Sequence, residues 1–132
     1  MDIEEFMSHI RDVQAQYPLE AEKALRRGAN TMRNALKDAS PDSGNPKAKR
    51  KIKDSWKVSM AGATADTLQA NIRSNSPHFH LVERGHVKKT RTGKVVGYQQ
   101  GTHFMEKTVN ANADEIQDEM GEHLYKMVNK LL

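Results

Sequence analysis

The sequence predicts an α+β fold: a kinked amino-terminal helix, a small antiparallel β-sheet of three to four strands, and a long carboxy-terminal helix packed on the sheet. Three observations carry this. Apolar residues recur every three or four positions near both ends of the chain, they alternate with polar ones in the middle, and the changes of period fall in Gly-, Pro- and Ser-containing stretches. A chain of 132 residues has the size of one domain, taken here as residues 1–132.

Ile3, Phe6, Met7, Ile10, Val13 and Tyr17 share one helical face. Asp2 followed by Glu5 has the form of a capping box. Pro18 lacks the N–H a helix interior needs, so a kink or a fresh start is expected there. The stripe then continues through Ala21, Ala24, Leu25, Gly28, Met32, Ala35 and Ala39. Its small residues let another backbone approach closely, at some cost in helix stability from Gly28. "SPDSGNP" at 40–46 ends the helix. "KAKRKIKDSWK" follows, with Lys47, Lys49, Arg50, Lys51, Lys53 and Lys57 against Asp54 alone. Residues 40–54 are expected to form a mobile basic loop, either a solvated arm or a patch that docks on an acidic partner or nucleic acid.

Trp56, Val58 and Met60 alternate with Ser55, Lys57 and Ser59; after a turn at 61–66, Leu68, Ala70 and Ile72 alternate again. The two runs predict an antiparallel pair with one dry face. "SNSP" at 74–77 breaks the pattern, and "HFHLVERGH" at 78–86 is expected to form a third, central strand ending at Gly85. "VKKTRTGKVVGY" reads as a hairpin or long loop around "TRTG", giving a basic segment over 84–101. Finally Met105, Val109, Asn112, Ile116, Met120, Leu124, Met127 and Leu131 predict one stripe of a helix of roughly 27 residues. Acids in its body and Lys126 and Lys130 in its last turns suit the helix dipole.

Composition narrows the function classes. The absence of cysteine removes thiol catalysis, disulfides and cysteine-based zinc sites together. No run of about 18 apolar residues is present, so no membrane span is expected. The acidic start "MDIEEF" is unlike a signal peptide, so the chain is expected to be made and kept in a cytosol. Net charge is +4, which permits contact with nucleic acid or an acidic protein without demanding either. None of the nucleophile-elbow, zincin, P-loop or dinucleotide-binding motifs occurs.

The densest cluster of reactive types is His78, His80, Glu83 and His86. On a strand His78 and His80 share a face while Glu83 points the other way, so one strand offers two metal ligands where a zinc site needs three or four. No metal, cofactor or catalytic set is therefore assigned. Arg84, Lys88, Lys89, Arg91 and Lys94, with His86 and no acid, make a second basic cluster. It is either a hairpin tip kept soluble by charge or an arm reaching a partner. No aromatic interrupts it before Tyr98, which disfavours sequence-specific nucleic-acid recognition. The methionines sit mostly on apolar stripes and read first as core filling.

Taken in order, these pieces resemble a known family. "SPDSG" after a long helix (Pro41, Ser43, Gly44), "DSW" opening a strand (Ser55, Trp56), "LVERGH" (Val82, Glu83, Gly85, His86), a glycine-bearing variable loop, and "HFMEKTV" (Phe104, Met105) leading into the last helix are similar to the tail-completion, or head–tail joining, proteins of long-tailed bacteriophages and prophages. The link "NPKAKRKIK" is longer and more basic than usual, and the loop 87–101 lacks the "GW" of many relatives. The resemblance implies a non-enzymatic virion protein at the head–tail junction, assembled in the host cytoplasm. It also implies a homo-oligomeric ring, commonly of six subunits, between the tail-tube or tail-terminator protein and the head connector or stopper, with DNA passing through unread. Lys47, Lys49, Arg50, Lys51, Lys53, Glu83, Arg84, His86, Lys88, Lys89, Arg91 and Lys94 are the candidate interface residues, Glu83 and His86 holding the base of the loop or an intersubunit contact. The other class that fits the two basic clusters is a small nucleic-acid-binding module.

Overall fold

The computed structural model describes residues 2–42, 51–62 and 67–131. Helix α1 (Ile3–Ala39) opens on the expected capping box: the Asp2 carboxylate accepts from Glu5 N at 2.8 Å, and the Glu5 carboxylate accepts from Asp2 N at 3.4 Å. It runs through Pro18 without a fresh start. Proline already has helical φ, so the ring removes one backbone hydrogen bond without ending the helix when the turns on both sides are well formed. The helix ends at Ser40, whose extended backbone leads into Pro41 and whose hydroxyl donates to Leu36 O at 2.6 Å.

A single 3₁₀ turn at Ile52–Asp54 leads into β1 (Trp56–Ala61), which pairs antiparallel with β2 (Gln69–Ser74). Trp56, Val58 and Met60 oppose Ser74, Ile72 and Ala70 on the inner face, as their alternation predicts.

The expected third strand is not a strand. Residues Phe79–Arg84 form a short helix, α2. Ser76 accepts from His78 N through its hydroxyl, Pro77 stands in the entering turn, and Gly85 closes the helix with φ 90°. Serine and proline before a short apolar run, with glycine just after it, is the start–stop grammar of a helix. Helical spacing turns Phe79, Val82 and Glu83 inward and leaves His80, Leu81 and Arg84 outside. Strand β3 (Gly85–Lys89) then pairs with β4 (Val95–Gln100) around a turn closed by Thr90 N to Lys94 O at 2.9 Å. The four strands thus form two separate two-stranded antiparallel sheets rather than one, because α2 interrupts the ladder between β2 and β3.

Helix α3 (Phe104–Leu131) runs antiparallel to α1. Phe104 meets Leu36 in the core, Gly28 packs on Ile116 and Met120, and Glu20 reaches His123. Its first turns pack on the strands, through Phe104 against Trp56 and Val109 against the same cluster. A helix of 28 residues is about 40 Å long, more than a six-residue hairpin of about 20 Å can cover, so the rest of its stripe packs on α1.

The core is small and aromatic. Leu36, Ile52, Trp56 and Phe104 are buried together, with Phe79 beside them. Trp56, Phe79 and Phe104 form three edge-on pairs with centroids 5.3, 6.2 and 6.0 Å apart, each such pair adding about 0.5–1.5 kcal/mol beyond burial. The Trp56 indole donates to Ser40 Oγ at 2.8 Å, which ties β1 to the end of α1. Among the described residues no helix is long and apolar enough to cross a membrane.

Candidate functional site

The site is a projecting arm on a tightly built base. The arm is the β3–β4 hairpin, and the base is where residues 82–85 meet 98–106. Glu83 is the centre of the base. It lies in the last turn of α2 and is 8% exposed. Its carboxylate accepts from Met105 N at 2.9 Å and from Glu106 N at 3.2 Å. Those are two of the amides that a helix start leaves unpaired, and a negative charge there also suits the α3 dipole. The residue in the capping position itself, His103, has φ 53°. It lacks the extended backbone from which a cap side chain usually reaches the first-turn amides, so the cap comes from 22 residues upstream.

The backbone completes the clamp. Thr102 N donates to Val82 O at 2.8 Å and His103 N to Glu83 O at 3.1 Å. Tyr98 Oη donates to Arg84 O at 3.1 Å. Two glycines let the strands cross this closely. A Cβ on Gly101 would sit 2.4 Å from Glu83 O and 2.7 Å from Gly85 N; one on Gly85 would sit 2.5 Å from Gln99 O. The "VERGH" stretch is therefore a structural device. Glutamate caps the next helix, and glycine turns the chain out of α2 at a positive φ that other residues resist.

Beyond the base the arm is exposed. Val87 and Tyr98 face each other across the ladder, and a register shift between Lys88 and Lys89 then sets Lys89 against Val95, so Val87, Val95, Val96 and Tyr98 are all exposed apolar residues of the arm. Arg84, Lys88, Lys89, Arg91 and Lys94 are all exposed around it. His86 is half-buried near the base, and its Nδ1 has no hydrogen-bond partner among the described residues. Of the other candidates, Lys47, Lys49 and Arg50 lie outside the described residues. Lys51 precedes the 3₁₀ turn. Lys53 lines a half-open cleft of about 250 Å³ with Arg33, Asn34, Lys37, Asp54, Trp56 and Lys57.

The histidines do not converge. His78 and His80 share no strand face, because the segment is helical. Among the described residues no three of His, Asp or Glu are placed to hold a metal ion. The interaction the sequence did not reveal is His123 Nε2 with Glu20 Oε2, 3.0 Å apart across the α1–α3 seam. The hydrogen bond from His123, and then Lys23 nearby, hold the Glu20 carboxyl below its usual range against a smaller opposing effect of burial.

Residues 4–85 match the family described as "Bacteriophage HK97-gp10, putative tail-component". No curated protein matches significantly, and neither does any solved structure. The matched stretch carries α1, the first hairpin, α2 and the "VERG" clamp, so it includes the half of the base that caps α3. Membership points to structural work among other phage proteins in the virion, and it covers more than half of the chain: the protein belongs to the HK97-gp10-like family of phage tail components.

Proposed function

We propose that the protein completes the tail and joins it to the head, as one subunit of a ring, commonly of six, between the tail tube and the head connector. The observation that supports this best is the arm. A hairpin with an apolar face and a basic rim stands clear of the core on a base fixed by Glu83, Gly85 and Gly101. An exposed apolar face held in one direction is a surface for a neighbouring protein. The ring carries DNA through its opening by shape and charge, without reading its sequence. Deleting the gene from a phage that carries it should leave filled heads and finished tails that do not join, with joining restored by the purified protein. Normal joining in the deletion would overturn the reading.

The half-open cleft favours a second reading, a small nucleic-acid-binding module. Arg33, Lys37, Lys53 and Lys57 surround it against Asp54 alone, a spacing of cations that suits backbone phosphates. That reading requires duplex DNA binding in about 150 mM salt that weakens steeply as salt rises. A gel shift without retained DNA at that salt removes it.

A further inference from the structure

The amino-terminal end of α1 is a second exposed surface among the described residues. The antiparallel seam sets Glu20 against His123, and α3 ends eight residues later at Leu131. The first turns of α1 therefore run past the end of α3, by about 14 Å at 1.5 Å per residue. On this overhang Ile3, Phe6 and Met7 lie on one helical face and are 78%, 45% and 48% exposed. Asp2, Glu4 and Glu5 flank them, and residues 2–7 contain no base. The hairpin is the converse: Val87 and Tyr98 opposite each other, Val95 and Val96 exposed beyond them, four cations over 85–100, and no acid.

We propose that the β3–β4 hairpin of one copy docks on the amino-terminal overhang of α1 in the next copy. Each surface joins an apolar face to a single sign of charge, and the signs are opposite, so contact covers both faces and pairs both charges. The two surfaces lie at opposite ends of the molecule. The hairpin springs from the end where Leu36 meets Phe104, and α1 carries its amino terminus on the order of 50 Å away. One chain cannot bring its own ends together over a rigid helix. Two copies can, and a contact between different patches of identical chains propagates head to tail and closes a ring when its rotation allows. The contact deepens the ring reading proposed above and rests on it only for its place in the virion.

The chain has no cysteine, which makes cross-linking clean. Val96→Cys and Met7→Cys are introduced in separate chains of different tag length, mixed in about 50 mM salt where screening is weak, and oxidised. The mixed disulfide product should dominate. Glu4→Lys in the Met7→Cys chain should lower its yield several-fold, and Lys89→Glu in the Val96→Cys chain should restore it. Sedimentation of the unmodified protein should show species above the monomer at low salt that dissociate at high salt. The contact is overturned if Val96→Cys chains cross-link chiefly to each other, as hairpins pairing edge to edge would. It is equally overturned if the mixed yield ignores the charge changes, or if no mixed product forms. Loss of joining in the gene deletion together with a failed cross-link keeps the joining role and removes this contact. A cross-link with normal joining does the reverse.

Discussion

Replacing Glu83 tests the clamp directly. Its carboxylate accepts from two amides, Met105 N at 2.9 Å and Glu106 N at 3.2 Å. Hydrogen bonds to a charged group contribute about 1.5–3 kcal/mol each when buried. Met105 and Glu106 are themselves exposed, so water recovers part of each bond once the carboxylate is gone. Glu83→Ala is therefore expected to cost about 2–3 kcal/mol, above the usual range for a lost cap because two amides and a helix-end charge are involved. Glu83→Gln keeps one acceptor oxygen and is expected to cost about 1 kcal/mol. Trp56 is the only tryptophan and sits in the core, so its fluorescence follows urea unfolding. The midpoint should fall with an unchanged slope, and the thermal midpoint of the alanine variant should drop by about 10 °C for a chain of this length. Hydrogen exchange at Met105 and Glu106 should quicken in both variants. If both variants stay within about 0.5 kcal/mol of the parent, the carboxylate does not cap α3 in solution and the argument for a fixed base fails.

Two further outcomes follow from the same geometry. Gly101→Ala places a methyl against backbone atoms of Glu83, Arg84 and Gly85 and should cost about 2–3 kcal/mol by overpacking, whereas Gly121→Ala, with nothing within 4 Å on an exposed helical turn, should gain up to about 1 kcal/mol in thermal unfolding. For Glu20 the folded carboxyl titrates below the unfolded one, so its stabilisation is present above the unfolded value and is lost as pH falls through the folded value. Unfolding free energy measured from about pH 6 down to pH 3 should fall less steeply in Glu20→Gln than in the parent.

The two long helices and the first hairpin were legible because each carries a full period of apolar residues over enough length. Phe6 to Leu36 repeats a helical stripe many times over, and Trp56, Val58 and Met60 alternate against Ala70 and Ile72. Residues 78–86 were not legible by period. In six residues, Phe79 and Leu81 satisfy a strand as readily as Phe79 and Val82 satisfy a helix. What separated them was punctuation: Ser76 and Pro77 before, Gly85 after. Glu83 and His86 are expected to hold the base of the basic loop or an intersubunit contact; the Glu83 carboxylate bonds lie at that base, while His86 Nδ1 has no partner among the described residues. The form of the grip was hidden, because its partners are backbone amides 22 and 23 residues away, and amides leave no mark in a sequence. Pro18 illustrates the opposite limit: a local penalty of about 3 kcal/mol argues in sequence for a kink or a fresh start, and the residues on both sides nevertheless stay in one helix.

The base and the tip of the hairpin follow opposite rules, and that contrast bears on assembly. At the base, bonds from Glu83, Thr102, His103 and Tyr98 fix the arm's direction, and the Gly85–Gly101 crossing leaves no room for a side chain at either glycine. At the tip, Val96 and the lysines touch water. A segment of this charge left unpaired would order only on contact, and every residue ordered then would weaken the contact by about 1–2 kcal/mol of backbone entropy. Here the ladder from Gly85–Gln100 to Lys89–Val95 is already formed, and the α1 overhang already carries its own cap. What docking must still order is side chains, at roughly 0.5–1.5 kcal/mol each. In the contact proposed above, a small apolar face would then suffice, with charge selecting which end meets which.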